Sequence, residues 1–144
     1  MAGIHMNANI HIRTVPDTST AIGWTNGRSV VVDGGSETSL SLGFNSVELL
    51  CLAVGACYTN EVFLEAGRRA VRVRSVHVDV SVDGDSPSAP HLTASMRIEA
   101  DADEDTIADL VEHADRVAKI PNVLRLGTSV RLTDAHLVGR KVGR

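Results

Sequence analysis

Residues 46–57 read SVELLCLAVGAC, an almost entirely apolar stretch that holds both cysteines of the chain. Asn45 precedes the stretch and Glu48 follows three residues later, which is the pattern of a capping box at the start of a helix. Between residues 49 and 57 no side chain is polar apart from the thiols, and a helix that is apolar all round is normally enclosed by its own domain. The stretch therefore predicts a central core helix.

Length, charge and composition narrow the class of protein. A chain of 144 residues fits a single domain over 1–144. The net charge of −4 without a basic run argues against nucleic-acid binding and against a polybasic membrane patch. The apolar run is shorter than the roughly 20 residues of a membrane span, and Glu48 and Glu61 bracket it. Two cysteines and no secretory signal indicate a reducing cytoplasm.

The remaining sequence alternates between strand and helix patterns. Asn26-Gly27 between apolar runs predicts a β-hairpin, and Gly34-Gly35 predicts a loop. A change of phase at Arg74-Ser75 indicates a bulge, and Pro121 is expected to end the second helix. The predicted strands cover 8–15, 21–24, 30–32, 71–82, 92–100 and about 130–137, and the predicted helices cover 46–67 and 103–120. The order βββ-α-ββ-α-β favours an α+β fold with a largely antiparallel sheet.

The two thiols have different surroundings in the sequence. Cys51 lies between two leucines, which is typical of a cysteine that only packs. Cys57 lies where the helix turns polar, so it could face a pocket, although a packing role is open to it as well, and a nearby arginine would have to activate it. Six helical residues separate the thiols by about 9 Å along the axis, which argues against a disulfide between them. The scattered histidines and the absence of a phosphate-binding pattern predict neither metal nor cofactor.

Three motifs resemble the GG…P-x-E-L-L…G-A-C signature of the OsmC/Ohr superfamily. They are Gly34-Gly35, the run SVELL at residues 46–50, and Gly55-Ala56-Cys57. The resemblance covers residues 8–138. It implies an OsmC-like fold in an intertwined homodimer with active sites at the subunit interface, and Cys57 in the position of a peroxidatic cysteine that reduces organic hydroperoxides.

The chain departs from that family pattern at two positions. The family's resolving cysteine, near the end of the second helix and followed by proline, is replaced by Ile120 ahead of Pro121. The family's glutamate, ten residues before the reactive cysteine, is replaced by Val47, and Glu48 lies one place off. On a helix one residue is a rotation of about 100°, so Glu48 is open to a role as a cap alone.

The candidate site is completed by two arginines and by a group of polar residues near the end of the second helix. Arg28, directly after the Asn-Gly turn, and Arg125 are the candidates for stabilising a Cys57 thiolate. Residues 115–127 resemble the second-helix end of an uncharacterised branch of the superfamily. Four of their polar side chains are expected close to a pocket, namely Asp115, Arg116, Asn122 and Arg125.

Three functions follow as hypotheses. The first is a one-cysteine peroxidase for organic hydroperoxides in oxidative stress defence, with Cys57 as nucleophile, Arg28 or Arg125 beside it, and an external thiol as reductant. Glu48 is its candidate carboxylate. The alternative is a non-catalytic OsmC-like protein that binds a small ligand in an apolar pocket at the dimer interface, with Cys57 in the pocket wall. The third is an intermolecular thiol link or a redox sensor. None of the three hypotheses involves nucleic acid or a membrane.

Overall fold

The computed structural model describes residues 7–33, 43–84 and 91–140. Its elements follow in the order β1 (His11–Thr14), β2 (Ala21–Thr25), β3 (Arg28–Val32), α1 (Ser46–Arg68), β4 (Val73–Asp83), β5 (His91–Ala100), α2 (Glu104–Val117) and α3 (Lys119–Leu126). The predicted α+β class with antiparallel sheets is confirmed. The loop predicted at Gly34-Gly35 lies outside the described residues.

Both sheets are antiparallel and arise from hairpins between neighbouring strands. Strands β1, β2 and β3 form one sheet in that order, and β4 pairs with β5 in a second sheet. Asn26 and Gly27 both have positive φ, 46° and 73°, which is the backbone of the two-residue turn that the Asn-Gly pair predicts. The register of β4 shifts between Val73 and Ser75, so the predicted bulge is confirmed.

Helix α1 packs one stripe of its surface into the core. Its buried residues recur every four positions and are Val54, Tyr58, Val62 and Ala66. Val54, Tyr58 and Val62 meet Ala114 and Ala118 at the end of α2 and the inner face of β4–β5. Such spacing places them along one side of a helix.

The prediction that the chain's own domain encloses α1 on every side is wrong. Leu52 is 55% exposed, and large apolar side chains on the same helix are also exposed. These further residues are Val47, Leu50, Phe63 and Leu64. The apolar sequence of α1 predicted burial correctly for one side of the helix. A sequence does not indicate, however, whether the residues that bury a side chain belong to the same chain.

By length and composition alone α1 could also cross a membrane, because the whole helix has 23 residues. The apolar run at residues 46–57, from which no membrane span is expected, is only part of this helix. The buried stripe packs against a sheet and against α2 and α3, and Glu61 and Glu65 interrupt the apolar sequence of the helix. This is the arrangement of a helix packed within a globular fold.

Two predictions about the C-terminal third are corrected. Pro121 does not end α2, which stops at Val117, but lies in the first turn of the separate helix α3. A continuous helix would lose the bond from residue 121 to the Val117 carbonyl and bring the proline ring against it, and the break at Ala118 avoids both. The predicted last strand does not form either: residues 128–140 make no ladder and are exposed throughout.

Candidate functional site

Glu48 serves the start of helix α1. Its Oε2 accepts a hydrogen bond of 2.8 Å from the Asn45 backbone N–H, and the Asn45 side chain accepts one of 2.8 Å from the Glu48 N–H. These two bonds complete the predicted capping box and satisfy two backbone donors that a helix start leaves open. The carboxylate is therefore engaged locally.

Cys57 and Cys51 lie on different sides of α1, and both are free thiols of intermediate exposure. The Cys57 side chain packs against the core cluster formed by α1 and the end of α2. Cys51 lines an open groove of about 620 Å³ between α1 and β4. Across the parts of the chain that the structure describes, no hydrogen bond or ion pair reaches either sulfur.

Ile120, at the position of the family's resolving cysteine, packs against the same core cluster as Cys57. The fold thus brings these two sequence-distant positions to one region. An isoleucine has no thiol with which to form a disulfide, so Cys57 is the one thiol that the described residues bring to this cluster.

Arg28 lies at the end of its strand that points away from the start of α1. It begins β3, whose other end, Val32, bridges to Phe44 just before α1. Four strand residues span about 13 Å. Arg28 lines a shallow apolar groove of about 250 Å³ with Ile10 and Trp24.

Arg125 belongs to a hydrogen-bond network that joins α1, α2 and α3. Its Nη2 donates to Asp115 Oδ1 at 2.6 Å and to the Tyr58 hydroxyl at 3.2 Å. Its Nη1 donates to the Asp115 carbonyl at 3.0 Å and to Asn122 Oδ1 at 2.9 Å. The Tyr58 hydroxyl in turn donates to Asp115 Oδ1 at 2.9 Å.

The charges of this network stabilise each other. The hydrogen bond from Arg125, and then that from Tyr58, hold the pKa of Asp115 below its ordinary value, and the bond to Asp115 raises the pKa of Arg125. Burial first, and then the bond to Asp115, raise the pKa of Tyr58. At neutral pH the network is therefore a carboxylate and a guanidinium joined by a neutral phenol.

A cleft of about 760 Å³ opens beside this network between β5 and α2. We call it the Tyr58 cleft. It is lined by Tyr58, Leu92, Thr93, Ala94, Met96, Ala108, Val111, Glu112, Asp115 and Arg125. A smaller cavity of about 260 Å³, lined in part by Val54, Pro121 and Leu124, shares Tyr58 and Arg125 with it. The size of the Tyr58 cleft and its largely apolar lining with a few polar groups are typical of small-molecule sites.

The structure unites some of the sequence-predicted site residues and separates others. Asp115, Asn122 and Arg125 do lie together beside a cleft, as expected for polar groups near a pocket. The Arg116 side chain contacts His113 instead and is not part of the cleft wall. Glu48, Cys57 and Arg28 occupy three different places within the single chain. Tyr58 was missed as a site residue, and its signal was a lone tyrosine at the point where the apolar helix turns polar.

The described elements define an α+β protein with free thiols on its longest helix. The sequence profile described as OsmC-like protein matches residues 35–133, more than half of the chain. The chain therefore belongs to the OsmC-like protein family, and the resemblance to the OsmC/Ohr superfamily is confirmed.

Solved structures of the same family share the fold. An OsmC-like protein from Mycoplasma pneumoniae superposes with a TM-score of 0.72 at 14% identity, covering 83% of this chain and 87% of that one. The organic hydroperoxide resistance protein OhrB of Bacillus subtilis gives 0.60 at 13% identity, covering 84% and 92%. An organic hydroperoxide resistance protein OsmC from Legionella pneumophila gives 0.59 at 13%, covering 82% and 90%. At these identities the likeness concerns the fold alone. No curated protein matches the sequence significantly.

Proposed function

We propose that this OsmC-like protein is a homodimeric, one-cysteine thiol peroxidase that reduces organic hydroperoxides through Cys57. The observation that carries the proposal is the free, partly exposed Cys57 on the central helix, with Ile120 in place of a second thiol beside the same core cluster. Two of the structural relatives bear the name organic hydroperoxide resistance protein. The two reduced cysteines fit a cytoplasmic location.

The proposed cycle needs one protein thiol and an external one. The Cys57 thiolate attacks the distal oxygen of the hydroperoxide, the O–O bond breaks, and the alkoxide leaves as an alcohol after taking up a proton. Cys57 becomes a sulfenic acid while the peroxide gains two electrons. An external thiol then forms a mixed disulfide with release of water, and a second external thiol restores the Cys57 thiolate.

A second copy of the chain would complete this site. Arg125 already donates all four terminal N–H groups within its own chain, and Arg28 lies at the far end of its own β3. We therefore assign thiolate stabilisation to Arg28 of the second copy. The exposed apolar side chains of α1 support such a dimer, because a soluble monomer rarely leaves a large apolar patch open.

Intact-mass measurement tests the peroxidase. Reduced wild type, Cys57→Ser and Cys51→Ser are exposed briefly to a stoichiometric organic hydroperoxide in the presence of a sulfenate trap. We expect one adduct on wild type and on Cys51→Ser, and none on Cys57→Ser. Absence of an adduct on wild type, or an adduct that survives in Cys57→Ser, would rule out the proposed nucleophile.

Binding of a small, largely apolar ligand without catalysis is the second candidate function. The observation that favours it is the Tyr58 cleft, whose apolar walls carry a preorganised polar network and contain neither thiol. In that case the protein would bind ligand in the cleft whether or not Cys57 is present. Cys57→Ser would retain the full binding affinity.

A further inference from the structure

The chemistry of the Tyr58 cleft restricts which ligand it can accept, and this inference rests on the second candidate function, ligand binding. Its apolar walls are formed by side chains of β5 and α2, chiefly Leu92, Met96 and Val111. Its charged groups are Glu112, Asp115 and Arg125. The ligand must therefore combine an apolar body with a polar end that suits these three groups.

Arg125 is not available to an anionic ligand. Its four terminal N–H groups already meet four acceptors, two on the Asp115 residue, one on Tyr58 and one on Asn122. A ligand carboxylate would have to displace Asp115, which lies at 2.6 Å and already forms a charge-assisted bond. The positive charge in the cleft is thus matched before any ligand arrives.

The acceptors in the cleft remain open. The Glu112 side chain forms no hydrogen bond or ion pair with any of the described residues. Asp115 uses Oδ1 for both Tyr58 and Arg125, which leaves Oδ2 without a bond inside the described part of the chain. With two carboxylates and one guanidinium, the lining carries a net charge of −1. Glu112 and Asp115 are three residues apart on α2 and therefore share a face.

We propose that the Tyr58 cleft binds an organic cation, an ammonium group attached to an apolar chain. The ammonium group donates to Glu112 and to Asp115 Oδ2, and the chain lies along the apolar wall of β5. An ammonium has three donors and no acceptor, which matches a site that offers free acceptors.

Three probes with the same apolar chain test the charge preference: octylammonium, 1-octanol and octanoate. Protein labelled with [13C]methyl methionine reports binding through Met96, which lines the cleft and is one of three methionines in the chain. We expect octylammonium to bind about tenfold more tightly than octanoate, with octanol between them, because the net charge of the cleft opposes an anion.

Glu112→Gln and Glu104→Gln remove the same charge from the same helix, and only residue 112 lines the cleft. We expect the preference for octylammonium to fall to about twofold in Glu112→Gln and to stay unchanged in Glu104→Gln. Equal binding of all three probes, or an equal loss in both variants, would overturn the cation assignment while leaving ligand binding intact. If no probe shifts Met96, ligand binding in the cleft fails as well.

Discussion

At the scale of single residues, Tyr58 connects the helix that carries both cysteines to the second and third helices. Its hydroxyl donates to Asp115 and accepts from Arg125, while its ring is buried in the core. Tyr58→Phe removes the hydroxyl and keeps the ring, so Asp115 retains its bond to Arg125. We expect a loss of about 1 kcal/mol in the free energy of unfolding, the usual contribution of one hydrogen bond. Urea denaturation measures it, and an unchanged midpoint would contradict the network.

Asp115 makes the stability depend on acid. Because its folded pKa lies below the ordinary value of 3.8, its contribution is present above that pH and is lost as the pH falls through the folded pKa. The contribution is small, since the side chain is 59% exposed and screened by water. Asp115→Asn should be less stable than wild type at pH 6, and the difference should shrink toward pH 2.

The difference in stability between wild type and Asp115→Asn isolates the contribution of Asp115. Glu65 and Asp103 also have lowered pKa values, but they titrate in both proteins. Unfolding curves at a series of pH values give the difference directly. A difference that stays constant from pH 6 to pH 2 would show that the Asp115 charge contributes nothing.

The sequence predicted part of this network. Asp115, Asn122 and Arg125 lie within eleven residues, at spacings that place polar side chains around one helix end, so their grouping was foreseeable. Tyr58 precedes Asp115 by 57 residues in the sequence. Only the packing of α1 against α2 and α3 brings the two side chains together. Long-range contacts of this kind depend on tertiary packing, which local patterns do not encode.

At the scale of elements, the start of α1 decides between two roles for Glu48. If Glu48 only caps the helix, Glu48→Gln keeps an acceptor for the Asn45 N–H, whereas Glu48→Ala removes it. We expect Glu48→Gln to retain wild-type thiol reactivity and nearly all of the stability, and Glu48→Ala to lose about 0.5–1 kcal/mol of stability. Thermal unfolding and sulfenate trapping of the same samples provide both readouts. Loss of trapping in Glu48→Gln would instead indicate a catalytic carboxylate.

Gly55 is a place where α1 can be stabilised. A Cβ there would meet Val80 Cγ2 at 3.5 Å and Val78 Cγ1 at 4.0 Å, which are ordinary contacts. Because glycine is a poor helix former, we expect Gly55→Ala to add about 0.5–1 kcal/mol to the free energy of unfolding.

Gly43→Ala is the contrasting variant, since its Cβ would lie 2.5 Å from the Val31 carbonyl oxygen and force a shift of backbone. Chemical denaturation of the two variants should move the midpoint in opposite directions. Destabilisation by Gly55→Ala would mean that the α1–β4 groove is packed more tightly than the single chain shows.

Local signals located most elements well. The capping box, the Asn-Gly turn and the apolar alternation in β4 and β5 each act over a few residues, and each appears where it was predicted. The break at Ala118 was missed because a proline perturbs the backbone up to four residues before itself, so the interruption precedes Pro121.

At the scale of the whole molecule, the apolar residues that remain uncovered belong mainly to three places. They are the outer sides of α1, the β1–β3 sheet with Ile12 and Trp24, and the C-terminal segment 128–140 with Val130 and Leu132. The sequence predicted burial or strand formation for residues in each place. The pattern of apolar and polar residues indicates which side chains favour burial. The structure of the single chain shows which of them are buried without a partner chain.

The proposed homodimer would cover these surfaces, and substitution of Leu52 tests it. Leu52 is exposed in the middle of α1 and lines the α1–β4 groove. Burying a carboxylate without a partner is costly, so Leu52→Asp should weaken association, whereas Leu52→Met keeps an apolar side chain of similar volume and should leave it intact.

Light scattering during size-exclusion chromatography should give twice the chain mass of 15.3 kDa for wild type and Leu52→Met. Leu52→Asp should move toward the monomer mass on dilution or lose structure by circular dichroism, since a subunit that needs its partner unfolds when released. A wild-type protein that is monomeric and folded at micromolar concentration would contradict the homodimer, and with it the assignment of Arg28 from a second copy to the Cys57 thiolate.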